Sequence, residues 1–471
     1  MRIPVRTLVY LIVLLSSVAF GAGPNVVLLM ADDLGWGDLR CYNKESPIDT
    51  PHLDAMAAGG VRFERFYSGS AVCSPTRASC LTGRNPERMG IHHANNGHLP
   101  KEEITLAELL KEEGYRTGHF GKWHLGTLTK TVQDANRGGP GGAEHYAPPW
   151  EHGFEVCFST ESKVPTWDPL FVPGKPESRG KWWTPAAKED RQVYGTRYWN
   201  EKGEEVTENL EGDDSKLVMD RALGFIEGVV QEEKPFFVVV WFHAPHLPVV
   251  TGGKYAERYA KEEGFERSYY GCVTALDEQV GRLRGELRRL GVGEDTMVWF
   301  CADNGPEGGA KDPGQTNGLK GRKRDLWEGG IRVPGMVEWP GGLGTEGRVA
   351  TEPAVTSDYL PTVLAVTGIE YPSERPLDGV DLMPLLKGEK KERGKGIGFT
   401  FAGQAAWMEG DWKAVRPKKG QGWELYRIDE DAAEQVDQAK EHPEMLAPLV
   451  SSHGVWEAGC LASEKGADYE K

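Results

Sequence analysis

The chain has 471 residues, of which 39% are hydrophobic and 27% are charged, so it can form a large core plus an accessory domain and is not a disordered protein. Its formal net charge of -16 argues against general binding to nucleic acid, because phosphate backbones require clustered lysine and arginine. An acidic chain can still bind an anion, but only through a locally cationic pocket.

Residues 1–23 have the pattern of a signal peptide. Arg2 and Arg6 precede an apolar run over residues 8–15, and the small residues 19–23 follow it. The alternative is a retained anchor, but the run is short for a bilayer, and no later stretch is long and apolar enough to span one. We therefore expect export to a periplasmic, extracellular or other secretory compartment, without stable membrane insertion after cleavage.

Short apolar runs alternate with amphipathic helical stretches, which is typical of an α/β fold with a mostly parallel sheet covered by helices. Four apolar runs are predicted strands: 25–30, 115–120, 236–242 and 296–302. The stretches 104–113 and 217–230 are predicted helices that precede two of these strands.

Two regions differ from this alternation. Residues 127–214 are rich in glycine, proline and tryptophan, which predicts long loops over one face. A charged stretch at 387–395 is a predicted linker, and it is followed by four predicted antiparallel strands (397–401, 406–408, 412–415 and 423–428) and a helix over 443–451. We therefore expect a signal peptide (1–23), a large α/β domain (24–385) and a C-terminal antiparallel-sheet subdomain (386–471).

Polar residues follow each of the four strands of the large domain. In open α/β sheets, ligands bind beyond the carboxyl ends of the strands, so these clusters should converge on one site. The four clusters are Asp32-Asp33, Lys122-Trp123-His124, His243-Ala244-Pro245-His246 and Asp303-Asn304.

The acidic members of these clusters predict a metal site. Asp32, Asp33, Asp303 and Asn304 offer oxygen ligands, which suit calcium or magnesium rather than zinc or copper. A solvated turn or a helix cap would explain one Asp-Asp pair. A matching Asp-Asn pair after a second apolar strand favours a metal ion instead.

The segment Cys73-Ser74-Pro75-Thr76-Arg77 predicts an anion site at the start of a helix. Pro75 suits the first helical turn, and a helix N-terminus stabilises negative charge. Arg77, one turn on, provides a planar group matched to sulfate or phosphate oxygens. Cys73 itself is either a thiolate nucleophile or a buried structural cysteine on these grounds alone.

Cys73-x-Pro75-x-Arg77, continued by Thr82-Gly83-Arg84, closely resembles the signature of the type I sulfatases, whose cysteine becomes formylglycine. Further blocks resemble the family in order along the chain: Asp32-Asp33, residues 121–126, Asp303-Asn304-Gly305, Lys320 and residues 377–379. The resemblance implies an alkaline-phosphatase-like α/β domain and a sulfuric ester hydrolase that a formylglycine-generating maturation enzyme activates. It also implies one calcium ion, held by Asp32, Asp33, Asp303, Asn304 and the modified Cys73.

The resemblance also implies the first half of a reaction. Hydrated formylglycine is a geminal diol, and one of its hydroxyl groups would attack sulfur. Asp303 is the implied proton acceptor for this step, while Arg77 and Lys122 would hold and orient the diol.

For the second half, the resemblance implies that His246 and Lys320 contact the sulfate and help the alkoxide depart. His124 would then deprotonate the second hydroxyl, which expels sulfate and restores the aldehyde. A diffuse negative charge of this kind is stabilised mainly by fixed cations and positioned donors.

Several other residues have two interpretations. His243 either lines the site or packs in the core, and loop exposure is favoured over substrate contact for His92, His93 and His98. His152 and Cys80 are predicted to be structural. Indoles in the loop region can stack on sugar rings, although packing is the simpler expectation for each of them. These indoles are Trp167, Trp182, Trp183 and Trp199.

Sulfated carbohydrate is the expected substrate class, because the chain combines predicted export with a tryptophan-rich loop region. Two alternatives remain at this point. One is a phosphonate or phosphate-ester hydrolase with a related site, and the other is an inactive sulfated-glycan-binding protein. The second would tolerate the loss of Cys73, yet Cys73, Pro75 and Arg77 are all intact.

Overall fold

The four predicted strands lie side by side in the middle of one large sheet. The computed structural model describes residues 23–174 and 181–469, so the predicted signal peptide, except Gly23, lies outside the described residues. The strands in chain order are β1 Asn25–Ala31, β2 Val61–Phe63, β3 Phe66–Tyr67, β4 Arg116–Lys122, β5 Val156–Thr160, β6 Trp182–Trp183, β7 Tyr198–Trp199, β8 Glu205–Val206, β9 Phe236–Trp241, β10 Val249–Val250, β11 Thr296–Ala302, β12 Arg332–Val333, β13 Gly335–Glu338, β14 Arg348–Ala350, β15 Ala354–Val355, β16 Ile397–Phe401, β17 Gln404–Glu409, β18 Trp412–Arg416 and β19 Glu424–Arg427.

The helices flank this sheet and the smaller sheets. α4 packs against β4 and β9, and α6 packs against α4 and α1. The α-helices in chain order are α1 Pro51–Gly59, α2 Cys73–Thr82, α3 Leu106–Glu112, α4 Asp214–Gln231, α5 Gly253–Arg258, α6 Gly264–Arg289, α7 Glu328–Ile331, α8 Pro340–Leu343, α9 Tyr359–Thr367, α10 Met383–Leu386 and α11 Pro443–Glu464.

The large sheet has ten strands in the order β14-β2-β13-β11-β1-β9-β4-β5-β7-β8. Its centre, from β11 to β5, is parallel, and antiparallel pairs flank that centre on both sides. β1, β9 and β11 are buried along their whole length, as expected for parallel strands covered on both faces. The predicted α/β fold class is confirmed, and the carboxyl ends of β1, β4, β9 and β11 meet at one edge.

The loop region holds four strands that the sequence did not predict, β5 to β8, of which β5 is the longest. Residues 127–214 are mainly irregular, as predicted, but β5 joins the parallel centre beside β4. Its five residues, VCFST, are too short and too polar to stand out as an apolar run. The strand is stable because its neighbour β4 supplies the hydrogen bonds.

The C-terminal sheet has the predicted antiparallel order β16-β17-β18-β19. Its side chains, such as Phe399 and Met408, share a buried cluster with Tyr67 and Val72, so this sheet packs behind the start of α2. The last helix extends to Glu464, well past the predicted end at residue 451. The division of the chain at residue 385 stays a prediction.

The structure also describes the predicted linker, the cysteines and the helices that could cross a membrane. Within the predicted linker, Arg393 pairs with the buried Asp358 at 2.7 Å, so this part of the linker is fixed to the large domain. All seven cysteines lie among the described residues, and none of them forms a disulfide there. Within residues 23–174 and 181–469, no helix combines the length and hydropathy that crossing a membrane requires.

His92 ties the loop after α2 to the last helix. Its Nδ1 lies 2.7 Å from Glu87 and its Nε2 lies 2.8 Å from Glu464. The hydrogen bond to Glu87 is the main cause that raises the pKa of His92 to about 9, and Glu464 adds to it. A raised pKa contributes stability that is complete below the unfolded value of about 6.5 and is lost as pH rises through about 9.

We therefore expect His92→Gln to lower the melting temperature most near pH 6 and to have little effect near pH 10. The difference at pH 6 should be small, because solvent screens this half-buried pair. Melting curves of both proteins between pH 6 and pH 10 test this. The Glu464→Gln variant should also melt at a lower temperature than the wild type near pH 6 and not near pH 10. A difference in melting temperature that does not depend on pH would contradict the role of His92.

Candidate active site

Four strand ends and the first turn of α2 build one buried polar cluster. Asp32 and Asp33 follow β1, Lys122 ends β4, and Asp303 follows β11; each of these side chains is at most 1% exposed. Cys73 opens α2 and is also 1% exposed. The convergence expected from the strand ends is therefore present.

Two residues of this site adopt a backbone conformation that favours glycine. Asp33 has φ 66° and His124 has φ 58°. For a side chain other than glycine, this left-handed region costs about 1–3 kcal/mol and is kept where the surroundings require it. Both residues turn the chain sharply as it leaves a strand, which directs their side chains into the site.

Cys73 lies among groups that can hold a cation. Its Sγ is 3.4 Å from Asp32 Oδ1, and one ligand atom each from Asp32, Asp33, Cys73 and His246 lie within 4.8 Å of one another. Burial, followed by the carboxylates of Asp303 and Asp32, raises the pKa of the Cys73 thiol well above its usual value. The thiol therefore stays protonated, which disfavours an unmodified thiolate nucleophile.

Each of the three carboxylates pairs with one cationic side chain. The pairs are Arg77 Nη2 with Asp303 Oδ2 at 2.6 Å, Lys122 Nζ with Asp32 Oδ2 at 2.5 Å, and Lys323 Nζ with Asp33 Oδ1 at 2.6 Å. Three negative and three positive groups leave the cluster without excess charge. A buried arrangement of this kind is stable only because every charge has a close partner.

The two aspartates that face Arg77 differ in their acidity. Burial and the neighbouring charge of Asp32 raise the pKa of Asp303 to about 7. Burial acts in the same direction on Asp32, but Lys122 and the other nearby cations outweigh it and hold the pKa of Asp32 well below its ordinary value. Asp32 is therefore a permanent anion, and Asp303 is the carboxylate suited to accept a proton near neutral pH.

The structure places Lys320, which was predicted to contact the sulfate, outside this cluster. It is exposed, and its Nζ lies 3.4 Å from the centroid of the Trp327 ring. The chain turns at Gly321, with φ 78°, and this turn brings Lys323 into the site instead. Both lysines stand in the segment Lys320-Gly-Arg-Lys323, and only the path of the loop distinguishes them.

One ring nitrogen of His124 has no hydrogen-bond partner among the described residues. Its Nε2 lies 2.8 Å from Asn95 Oδ1, which accepts a hydrogen bond and so requires the proton on Nε2. Nδ1 is buried and has no hydrogen-bond partner in the described part of the chain. Burial and then Lys122 hold the pKa of His124 well below its usual value, so the ring is neutral and Nδ1 is a proton acceptor.

His246 also lies beside the carboxylates of the cluster. Its Nδ1 is 2.6 Å from the carbonyl oxygen of Leu247, to which it donates, and its Nε2 is 3.7 Å from Asp33 Oδ2. Burial is the main cause that lowers its pKa to about 4. The free Nε2 therefore faces the same space as the carboxylates.

Two residues near the site were not anticipated from the sequence. Asn95 orients His124, but Asn95-Asn96-Gly97 signals only a turn. Lys163 follows β5, and its pKa is lowered by burial and then by the charges of Lys122 and Lys323, which places it beside the same cluster. Neither residue belongs to a recognisable motif.

Several of the other candidates pack against neighbouring parts of the fold. His243 is fully buried, 2.7 Å from both Asp214 and Thr160, so it is a core histidine. His93 packs against Phe401, and His98 against His145. The side chains that are buried as predicted are His152, Cys80 and Trp199.

The predicted ligand set fits a hard cation. Asn304 Nδ2 donates to Asp33 Oδ1 at 2.7 Å, while Asn304 Oδ1 is buried without a hydrogen-bond partner within residues 23–174 and 181–469. An unpaired buried acceptor costs about 1–3 kcal/mol, which a bound cation would offset. Oxygen donors from three carboxylates and one amide form the type of donor set that calcium prefers.

The C-terminal sheet supports the loop that carries Lys323. Lys413 on β18 is fully buried and pairs with Glu328 at 2.9 Å and with Glu434 at 2.8 Å. Glu328 begins α7, and the next residue, Gly329, donates from its backbone nitrogen to Lys320 O at 2.7 Å. Gly329 O would lie 2.0 Å from a Cβ at position 305, so the Asp303-Asn304-Gly305 turn also packs tightly on this loop.

Comparisons with known proteins agree with this geometry. A family profile described as "Sulfatase" matches residues 24–369. Human arylsulfatase A is 36% identical over 399 residues, which cover 83% of this chain and 73% of the relative. Mouse N-acetylgalactosamine-6-sulfatase is 35% identical over 392 residues, covering 79% and 68%. The crystal structure of Ps i-CgsB in complex with k-i-k-neocarrahexaose superposes with a TM-score of 0.76, 26% identity and 93% coverage of both chains.

Proposed function

Because the chain belongs to the sulfatase family, we propose that it hydrolyses sulfate monoesters of carbohydrates through a formylglycine formed from Cys73, with one calcium ion. The observation that carries this proposal is the position of Cys73. Its buried sulfur lies within 4.8 Å of ligand atoms of Asp32, Asp33 and His246, in surroundings that raise the pKa of the thiol. A thiol held in this state is a poor nucleophile, whereas a hydrated aldehyde at the same place is a good one.

Asp303 and Arg77 support the attack on sulfur. Asp303, with its pKa of about 7, accepts the proton as a hydroxyl group of the diol attacks, and the bond from sulfur to the alcohol oxygen breaks. Arg77 and Lys122 orient the diol. Lys323, the buried lysine of the cluster, takes the role predicted for Lys320 and stabilises the charge that develops on the sulfate and on the leaving oxygen.

His124 supports the release of sulfate. Its free Nδ1 accepts the proton of the second hydroxyl group, the bond from carbon to the sulfate oxygen breaks, and the aldehyde forms again. Asn95 keeps the ring proton on Nε2, so Nδ1 is the nitrogen that is available to accept a proton. His246 contacts the sulfate from the side of Asp33.

Asp32, Asp33, Asp303, Asn304 and the modified Cys73 would hold calcium, with His246 beside them. The ion supplies positive charge that attracts sulfate and stabilises negative charge on oxygen. This contribution is needed because the three carboxylates already balance the three cationic side chains.

The carbohydrate part of the proposal rests on the loop region and on the relatives. The loop region contains half-exposed indoles. Relatives of the chain include N-acetylgalactosamine-6-sulfatase and a structure in complex with k-i-k-neocarrahexaose. The signal-peptide pattern supports export to a compartment that contains such glycans.

Peptide mass spectrometry of the fragment that contains Cys73, from protein made in its native host, tests the proposal. Conversion of the thiol to the aldehyde lowers the peptide mass by about 18 Da. Unmodified cysteine alone, in folded native protein, would contradict the mechanism and favour a sulfated-glycan-binding role.

Assays with the sulfate and the phosphate ester of one alcohol distinguish the proposed sulfatase from a phosphonate or phosphate-ester hydrolase.

Calcium is expected to raise the melting temperature of the chelator-treated protein, and magnesium to raise it less. Calcium at about 100 times its Kd stabilises the fold by about 2.7 kcal/mol. Asn304→Ala should raise the apparent Kd for calcium about tenfold, because it removes Oδ1, the buried oxygen without a hydrogen-bond partner among the described residues. Thermal melts across a calcium titration provide the measurement. Asn200→Ala, which changes a partly exposed asparagine outside the cluster, is the control, and equal calcium responses would refute the assignment.

A further inference from the structure

A large groove opens beside the site, and the reaction proposed above makes no use of it. Its volume is about 1360 Å³, and it lies between β6, β10 and the start of α6. We propose that it binds the uncharged sugar rings next to the sulfated ring of an oligosaccharide substrate. This inference rests on the proposed function and adds the type of glycan to it.

Two observations place the groove near the site. Asp312 lines both the groove and a second hollow of about 550 Å³, and this second hollow is also lined by Lys323 of the charge cluster. In addition, the chain leaves His246 and reaches the groove wall at Thr251, five residues later. Five residues span at most about 18 Å, which an oligosaccharide bound at the site can cover.

Two adjacent tryptophans give the groove an aromatic wall. Trp182 and Trp183 form β6, pair with Val249 and Val250 of β10, and are half-buried. Indoles on a strand offer large, rigid apolar faces with a polar N–H edge, a combination suited to the faces of sugar rings. Trp167 supports this wall, because it packs so closely on Gly252 that a Cβ there would lie 2.6 Å from the indole.

The charges of the groove distinguish between glycans. Four acidic and three basic side chains line the groove. One of the basic side chains, Lys181, is paired with Asp312 at 2.6 Å. A lining without excess positive charge repels a densely sulfated chain and accepts uncharged rings. The acidic residues are Glu262, Glu263, Glu266 and Asp312, and the basic ones are Lys181, Arg267 and Lys311.

Steady-state kinetics with three substrates test the inference. The substrates are an aryl sulfate, an oligosaccharide with one sulfate, and a densely sulfated oligosaccharide of the same length. Trp182→Ala and Trp183→Ala should each raise KM for the singly sulfated oligosaccharide about tenfold. Their kcat/KM for the aryl sulfate should stay within about twofold of the wild type, because that substrate does not reach the groove.

Two further variants separate binding from folding. Trp412→Ala removes a half-buried indole of the C-terminal sheet and should leave all three substrates unaffected. Glu262→Lys changes an exposed groove residue and should improve kcat/KM for the densely sulfated chain several-fold. Unchanged oligosaccharide kinetics in the Trp182, Trp183 and Glu262 variants would overturn the groove assignment. A wild-type protein that cleaves none of the three substrates would overturn the proposed function instead.

Discussion

Cys73→Ala is expected to lower kcat/KM for an aryl sulfate by at least about 10⁴-fold, because in the proposed mechanism the side chain of Cys73 is converted into the nucleophile. The fold should tolerate the change, since alanine is smaller and the site loses no charged group. Initial rates of wild type and variant, produced together with the same maturation enzyme, provide the measurement.

Cys80→Ala is the matched control for this experiment. Cys80 lies in the same helix and is fully buried, but it packs in the apolar cluster of the large domain. Its removal should cost about 1 kcal/mol of stability and leave kcat/KM within about threefold. Substantial activity in Cys73→Ala would contradict the formylglycine mechanism. An equal loss in both variants would indicate that the helix, rather than the nucleophile, was damaged.

Lys323→Met is expected to lower kcat/KM for the same substrate by about 10²–10³-fold. Its ammonium group lies 2.6 Å from Asp33 inside the cluster, and loss of one preorganised group that stabilises the developing charge costs about this much. The carboxylate of Asp33 would also lose its partner in a buried site, so the melting temperature should fall. Melting curves in saturating calcium therefore accompany the kinetics, to show that the variant is folded at the assay temperature.

Lys320→Met provides the direct comparison. Lys320 is exposed and contacts Trp327 and the backbone oxygen of Glu434, so its removal should change kcat/KM by less than about threefold. Lys323→Arg keeps the positive charge but replaces the ammonium group with a planar guanidinium group. This variant should retain more activity than Lys323→Met. A larger loss in Lys320→Met than in Lys323→Met would show that the loop adopts another path in the active enzyme.

Strands of the parallel centre were predictable because burial on both faces requires an apolar run. β11 matches its predicted range, and β1, β4 and β9 match theirs to within two residues at each end. β5 was missed because a short polar segment carries no such signal, and its neighbour β4 stabilises it through hydrogen bonds. The end of α11 was missed for a related reason. The part beyond residue 451, more than three turns, lacks an apolar stripe, and packing on the C-terminal sheet and on the short turn Pro86–Met89 extends the helix.

By itself, the sequence determined the α/β class, the position of Cys73 at a helix start and the groups that follow the strands. These features are local, because they depend on runs of apolar residues and on the residues that end each run. The tertiary structure alone decided that Lys323 rather than Lys320 enters the cluster, that Asn95 sets the protonated nitrogen of His124, and that Trp182 and Trp183 border a groove. Each of these depends on the path of a loop, and that path is set by contacts between residues far apart in the chain.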